Sequence, residues 1–215
     1  MTWLAEHLDL VASLAAHHAY LAGLPLILGL ALALPLGWLA HIGPHWARSL
    51  LLAGTGLLYT IPSLALFVLA PMLLGTKILD PINVVVAMTV YTVALLVRSV
   101  ADGLASVPEH VSAAATAMGY GGLARFLRVD LPLSVPVLAA GLRVAAVSNV
   151  SMVSVASLIG VAQLGNLLTA GYQRFHGDEL VVGILACIAL AVLFDLVILG
   201  ASALLTPWRR VGGKA

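Results

Sequence analysis

The chain has 215 residues, of which 62% are hydrophobic and 9% charged, and its mean hydropathy is +1.10. A soluble domain carries about 25% charge, so a water-facing surface is excluded for want of side chains to build it. Ten Lys+Arg against nine Asp+Glu leave a net charge of +1 and no basic stripe to neutralise phosphates, which excludes a nucleic-acid binder.

What is left is an all-α, polytopic membrane protein. In residues 1–19, Leu4, Leu8, Val11 and Leu14 alternate with polar positions, which predicts an N-terminal interfacial segment. Glu6, His7 and Asp9 precede the first apolar run with no Lys or Arg. This is the reverse of a secretory n-region, so the run is expected to be retained as a span. A span needs roughly 20 apolar residues to cross about 30 Å of hydrocarbon. Five are expected: 20–40; one within 49–76, kinked at Pro62; 81–97; 133–159, interrupted by Arg143; and 180–205, interrupted by Asp195. Residues 20–205 are thus expected as one transmembrane domain and 206–215 as a cytoplasmic tail. The single Cys187 lies inside an apolar run and forms no intrachain disulfide.

Five spans put the termini on opposite sides. With the C-terminus cytoplasmic, the inner segments hold Arg48, Arg98, Arg125, Arg128, Arg209, Arg210 and Lys214, and the outer ones only Lys77 and Arg174. Seven against two predicts the N-terminus outside and the C-terminus inside.

One long polar loop, 99–132, then lies on the cytoplasmic side. Ser106 and Glu109 have the S-x-x-E form of a capping box, with Pro108 tolerable in a first turn. A helix from there runs through Ala113, Ala114, Ala115, Ala117 and Met118, and Gly119 supplies a stop. Tyr120-Gly121-Gly122 turns the chain. A second short helix carries Leu123, Phe126 and Leu127 against Arg125 and Arg128, and Leu131-Pro132 launches the fourth span. The alanine run presents a flat surface that another protein can approach closely.

No G-x-x-x-x-G-K-[ST] occurs, and Gly119-Tyr120-Gly121-Gly122 lacks the lysine of a P-loop. Any ATP would therefore be bound by another chain. His41 and His45 have i,i+4 spacing, but a span's cytoplasmic end is where His meets headgroups. His17-His18 reads as an outer surface pair, and neither pair predicts a metal site. No Ser/His/Asp set converges, so catalysis has no support. Arg143 and Asp195 lie at similar heights above the cytoplasmic face. Charges inside a span face protein or water, which predicts a structural ion pair. Ser148, Asn149, Ser151, Ser154 and Ser157 wrap slowly round the fourth span. They either line a translocation path or bond between helices.

Ala113-Ala114-Ala115, Gly119 four positions after the last alanine, then Leu131-Pro132 and Pro136 resemble the "EAA" loop of ABC-importer permeases. Ala113 stands where that pattern has Glu. The resemblance implies that Ala113, Ala114, Ala115, Gly119, Leu131 and Pro132 form the loop that docks on a cytoplasmic ABC ATPase subunit. Tyr59-Thr60-Ile61-Pro62-Ser63-Leu64-Ala65-Leu66 is similar to the "TIPSLAL" segment of permeases for glycine betaine, carnitine and choline. Leu158-Ile159-Gly160-Val161-Ala162-Gln163-Leu164-Gly165-Asn166-Leu167 is similar to that subfamily's "LIGAGGLGDLI" turn, from which Ala162, Gln163 and Asn166 depart.

The fold so implied is the type I ABC-importer permease, and the role that of a membrane subunit passing a quaternary-amine osmoprotectant. Tyr59, Ser63, Ser148, Asn149, Ser151 and Ser154 are its candidate path residues, with Tyr59 and Tyr91 able to offer cation–π contact. Implied partners are the ATPase, an extracytoplasmic substrate-binding protein, a second permease subunit, identical or homologous, and membrane lipid, with no nucleic acid and no cofactor. The implied location is a bacterial-type inner membrane. A methionine or other amino-acid importer permease, and a scaffold subunit without a substrate path, are the alternatives.

Overall fold

The computed structural model describes residues 2–210, which hold helices and no strand. A short α1 (Thr2–Glu6) precedes α2 (Leu8–Ile42). At 1.5 Å per residue the 35 residues of α2 are longer than the hydrocarbon core is thick. No break separates an interfacial segment from the first span near residue 19. The reason is packing: Leu14 and His18 are buried on the same face as Leu21 and Ala22, so the segment docks on the bundle. His17 is exposed, so the two adjacent histidines are not the surface pair that their sequence position suggests.

α2 makes its most extensive interface with α5 (Pro81–Ala105), the helix at the centre of the bundle. Ala22, Gly29, Ala33, Gly37 and Ala40 line that face and let the backbones close together. A Cβ on Gly29 would sit 2.4 Å from Thr92 Cγ2, and one on Gly37 2.4 Å from Val100 Cβ. Asp80 caps α5, its Oδ1 accepting from the Ile82 N–H at 3.0 Å, and Pro81 takes the first turn.

The second expected span is two helices, α3 (His45–Tyr59) and α4 (Ser63–Leu74), bent by 98° at 60–62. A kink becomes a break because Pro62 lacks an N–H and keeps Ile61 out of helical geometry. The Tyr91 hydroxyl on α5 donates to the Ile61 carbonyl freed there. Among the described residues four helices are long and apolar enough to cross a membrane, and five spans result when the bent pair counts as one.

The loop after α5 carries α6 (Glu109–Ala117) and α7 (Gly122–Arg125). The capping box does not form. The Ser106 hydroxyl donates backwards to the Gly103 carbonyl at 2.6 Å, and Pro108 occupies the cap of α6 without a side-chain bond. α7 passes through a π-helical turn, Phe126–Asp130, into α8 (Leu131–Val153). Pro132 has no N–H to continue the α ladder, and the Leu131 N–H reaches the Phe126 carbonyl instead. After Val153 the chain tightens to a 3₁₀ segment, Ser154–Ile159. α9 (Gly165–Gln173) and α10 (Gly177–Leu205) complete the bundle. Among the candidate spans of the described residues, α10 is the most apolar and the least buried, as a lipid-facing helix is.

Candidate functional site

The loop between α5 and α8 is held by a network of backbone and side-chain hydrogen bonds. α6 ends in a Schellman turn: the Tyr120 N–H donates to the Ala115 carbonyl at 3.2 Å and the Gly119 N–H to Thr116 at 3.0 Å. Gly119 has φ of +87°, the left-handed region that a Cβ disfavours. Ala115 alone is buried within α6, while Ala113, Ala114, Ala117 and Met118 face outward. Leu131 and Pro132 are half-buried in the first turn of α8.

Asp130, nearly buried, ties these parts together. It accepts from the Ser112 hydroxyl of α6 at 2.9 Å and from Arg125 Nε at 3.1 Å, and Arg125 also donates to Thr116 Oγ1 at 3.2 Å. Phe126 lies under the Trp38 ring of α2, centroids 5.0 Å apart. These contacts join α6 to the start of α8 and to the C-terminal end of α2. Sequence reasoning missed Asp130, Ser112 and Trp38. An acid inside an otherwise Arg-bearing amphipathic turn was the available signal.

The candidate path residues fall into three groups. Tyr59 is exposed at the end of α3, edge-on to Tyr91 at 5.8 Å, and Ser63 opens α4 across the break. On α8, Ser148 lines an open cavity of about 480 Å³ with Ala140, Val144, Val147, Arg143 and Asp195. Arg143 Nε donates to Asp195 Oδ1 at 2.5 Å and its terminal nitrogen to Oδ2 at 2.9 Å, a two-pronged ion pair between α8 and α10. Ser151 is exposed one turn on, and its carbonyl accepts from Ser154 Oγ at 2.5 Å.

Asn149 is separated from this group. It is buried on the face of α8 that packs on α2 and α5, where its amide donates to the Ala22 carbonyl at 3.2 Å and to Thr92 Oγ1 at 2.9 Å. Its amide oxygen accepts from Thr92 at 3.2 Å. One residue along a helix is about 100° of rotation, so the neighbours Ser148 and Asn149 cannot share a surface. Asn149 is therefore a knot between α2, α5 and α8 and is removed from the path set.

The turn that follows is held by Gln163, which is fully buried. Its amide accepts from the Gly165 N–H at 2.5 Å, and its own backbone N–H donates to Asn166 Oδ1 at 2.9 Å. Among the described residues no three His, Cys, Asp or Glu side chains gather as a metal site. His41 and His45 lie on α2 and α3, on either side of the Gly43-Pro44 break.

Residues 33–211 match the family described as "Binding-protein-dependent transport system inner membrane component". The osmoprotectant import permease protein OsmW of Salmonella typhimurium is 30% identical over 95% of this chain and 96% of its own length. The glycine betaine/carnitine/choline transport system permease protein OpuCB of Bacillus subtilis is 25% identical, over 88% of this chain and 86% of its own. Among solved structures, a chain of the inward-facing MetNI methionine ABC transporter superposes with a TM-score of 0.84. It covers 94% of this chain and 98% of the other at 19% identity, a likeness of fold.

Proposed function

Because the chain belongs to the family of binding-protein-dependent transport system inner membrane components, we propose that it is the permease subunit of an ATP-driven importer of a quaternary-amine osmoprotectant such as glycine betaine, carnitine or choline. The observation that carries the coupling half of this reading is the exposed alanine face of α6, tied through Asp130 to the head of α8. A small, flat surface on a rigid lever suits a partner that must push. The whole-length similarity to an osmoprotectant permease carries the substrate half.

In this reading a separate ABC ATPase binds and hydrolyses ATP, an extracytoplasmic protein selects the substrate, and two permease subunits enclose the path. The Arg143–Asp195 pair neutralises both charges inside the membrane, beside Ser148 and Ser151. A quaternary ammonium needs weak polar contacts and no strong trap along its way. The paired carboxylate satisfies that by being already engaged.

The test is uptake of labelled glycine betaine, choline and methionine by vesicles holding the permease, its ATPase and its binding protein. Betaine or choline uptake that stops with Ala114→Glu, together with loss of ATPase copurification, is expected. Methionine uptake alone would replace the substrate reading, and normal uptake by Ala114→Glu would overturn the docking role of α6.

A further inference from the structure

His18 lies on α2, fully buried, and both ring nitrogens face oxygen. Nδ1 is 2.9 Å from Gln163 Oε1, and Nε2 is 2.9 Å from the Val150 carbonyl oxygen. Backbone groups decide which end of the Gln163 amide His18 meets. Oε1 accepts from the Gly165 N–H, while Nε2 donates to the Ser154 carbonyl at 3.1 Å. Turning the amide over would set donor against donor and acceptor against acceptor. The Val150 carbonyl oxygen at the other ring nitrogen can only accept. In a continued α-helix the Ser154 N–H would serve it, but at the change to 3₁₀ geometry that N–H goes to Met152. Two acceptors thus flank the ring, and a neutral imidazole has a single N–H.

We propose that His18 acts as a positioning residue, its imidazolium form clasping the turn at 160–164 to both α2 and α8, so that the hold on this turn depends on one proton. Protonated, His18 donates both ways. Deprotonated, one contact sets a ring lone pair against an oxygen lone pair, and the turn is held by one bond fewer. The clasp is complete on the acid side and weakens as pH rises through the titration of His18. No carboxylate, Lys or Arg interacts with the ring among the described residues. On the packed helices, Tyr91 bonds to Ile61, Arg143 and Asp195 bond to each other, and Glu179 at the start of α10 is not among its partners. His17 turns away to the Ser13 carbonyl. His18 is therefore the titratable group that meets this turn, and its two acceptors are what favours the imidazolium against the cost of burying a charge. The effect on uptake rests on the permease reading, whereas the protonation does not.

The first measurement is nitrogen NMR of the full-length chain with the other six of its seven histidines replaced, across roughly pH 5–9. Both ring nitrogens protonated at the acid end, with one proton released inside that range, is the expected result. A single neutral tautomer throughout would overturn the proposal, and this reading needs no variant at position 18. The second is thiol labelling of Ala162→Cys, exposed beside Gln163, in a Cys187→Ala background. Corrected for the rise in thiolate fraction with pH, as measured on a small free thiol, labelling should speed up several-fold as pH rises, and the corrected rate should be independent of pH once His18→Gln is added. The same pH dependence with and without His18→Gln would sink the clasp. In reconstituted transporter the wild type and His18→Gln should differ in the pH profile of uptake. No uptake by either at any pH would count against the permease reading alone.

Discussion

At the scale of single residues, two charges on long apolar helices are placed where geometry neutralises them. Arg143 and Asp195 engage in a two-pronged contact between α8 and α10. Removing one partner leaves an uncompensated charge in the membrane, whereas removing both does not. Arg143→Ala and Asp195→Ala should each lower the yield of folded, detergent-extracted protein several-fold, and the double substitution should recover part of it. Strictly additive losses in that yield would show that the pair contributes no stability. Gly119 makes a different demand, because its φ of +87° ends α6. Gly119→Val should cost about 1–2 kcal/mol in local strain while membrane insertion is unchanged, since the turn lies outside every span. Copurification with the ATPase is the measurement, and its loss is expected.

Between elements, the α2–α5 interface depends on what is missing from it. With ideal Cβ positions 2.4 Å from Val100 at Gly37 and from Thr92 at Gly29, any side chain there forces the helices apart. Gly37→Val should destabilise by about 1–3 kcal/mol, the usual range for overpacking. Gly54 on α3 has nothing within 4 Å of its would-be Cβ, so Gly54→Ala should be neutral or gain up to about 1 kcal/mol from helix propensity. Thermal unfolding of the two variants in one detergent separates them. Equal midpoints would mean that the α2–α5 contact is looser than the side-chain positions indicate. The broken pair α3–α4 was legible in part: Pro62 marks the spot, but a 98° bend needs Tyr91, thirty residues away, to take the freed Ile61 carbonyl.

For the whole molecule, the consequence to test is orientation. Seven basic residues against two on opposite sides of five spans predict an outer N-terminus and an inner C-terminus. In a Cys187→Ala background, Gly177→Cys should react with a membrane-impermeant thiol reagent added to intact cells. Leu123→Cys, exposed on α7, should react only after the cells are opened. The reverse pattern would move the α6 loop outside and remove any contact with a cytoplasmic ATPase.

The amino-acid sequence alone determined what local composition can encode. Apolar runs of span length, the turn at Gly119, the proline at the α3–α4 break and the alanine face of α6 are each written within a few consecutive residues. Hydrophobic transfer, φ preference and a missing N–H act at that range. Lys214 lies outside the described residues, so its contribution to the charge asymmetry rests on sequence alone. What only the tertiary structure decided are the pairings between distant residues. Arg143 and Asp195 stand at similar heights by counting, but their facing each other depends on how α8 and α10 are rotated. The polar face of α8 divides into Ser148 and Ser151 outward and Asn149 inward because a helix turns about 100° per residue, and packing against α2 and α5 chose the rotation. Continuity of α2 through residue 19, Asp130 under α6, and His18 against Gln163 are of the same kind. A polar residue in an apolar run announces that it needs a partner, since leaving it unpaired is costly. Which partner answers, 145 positions away in the case of His18, is a property of the folded bundle.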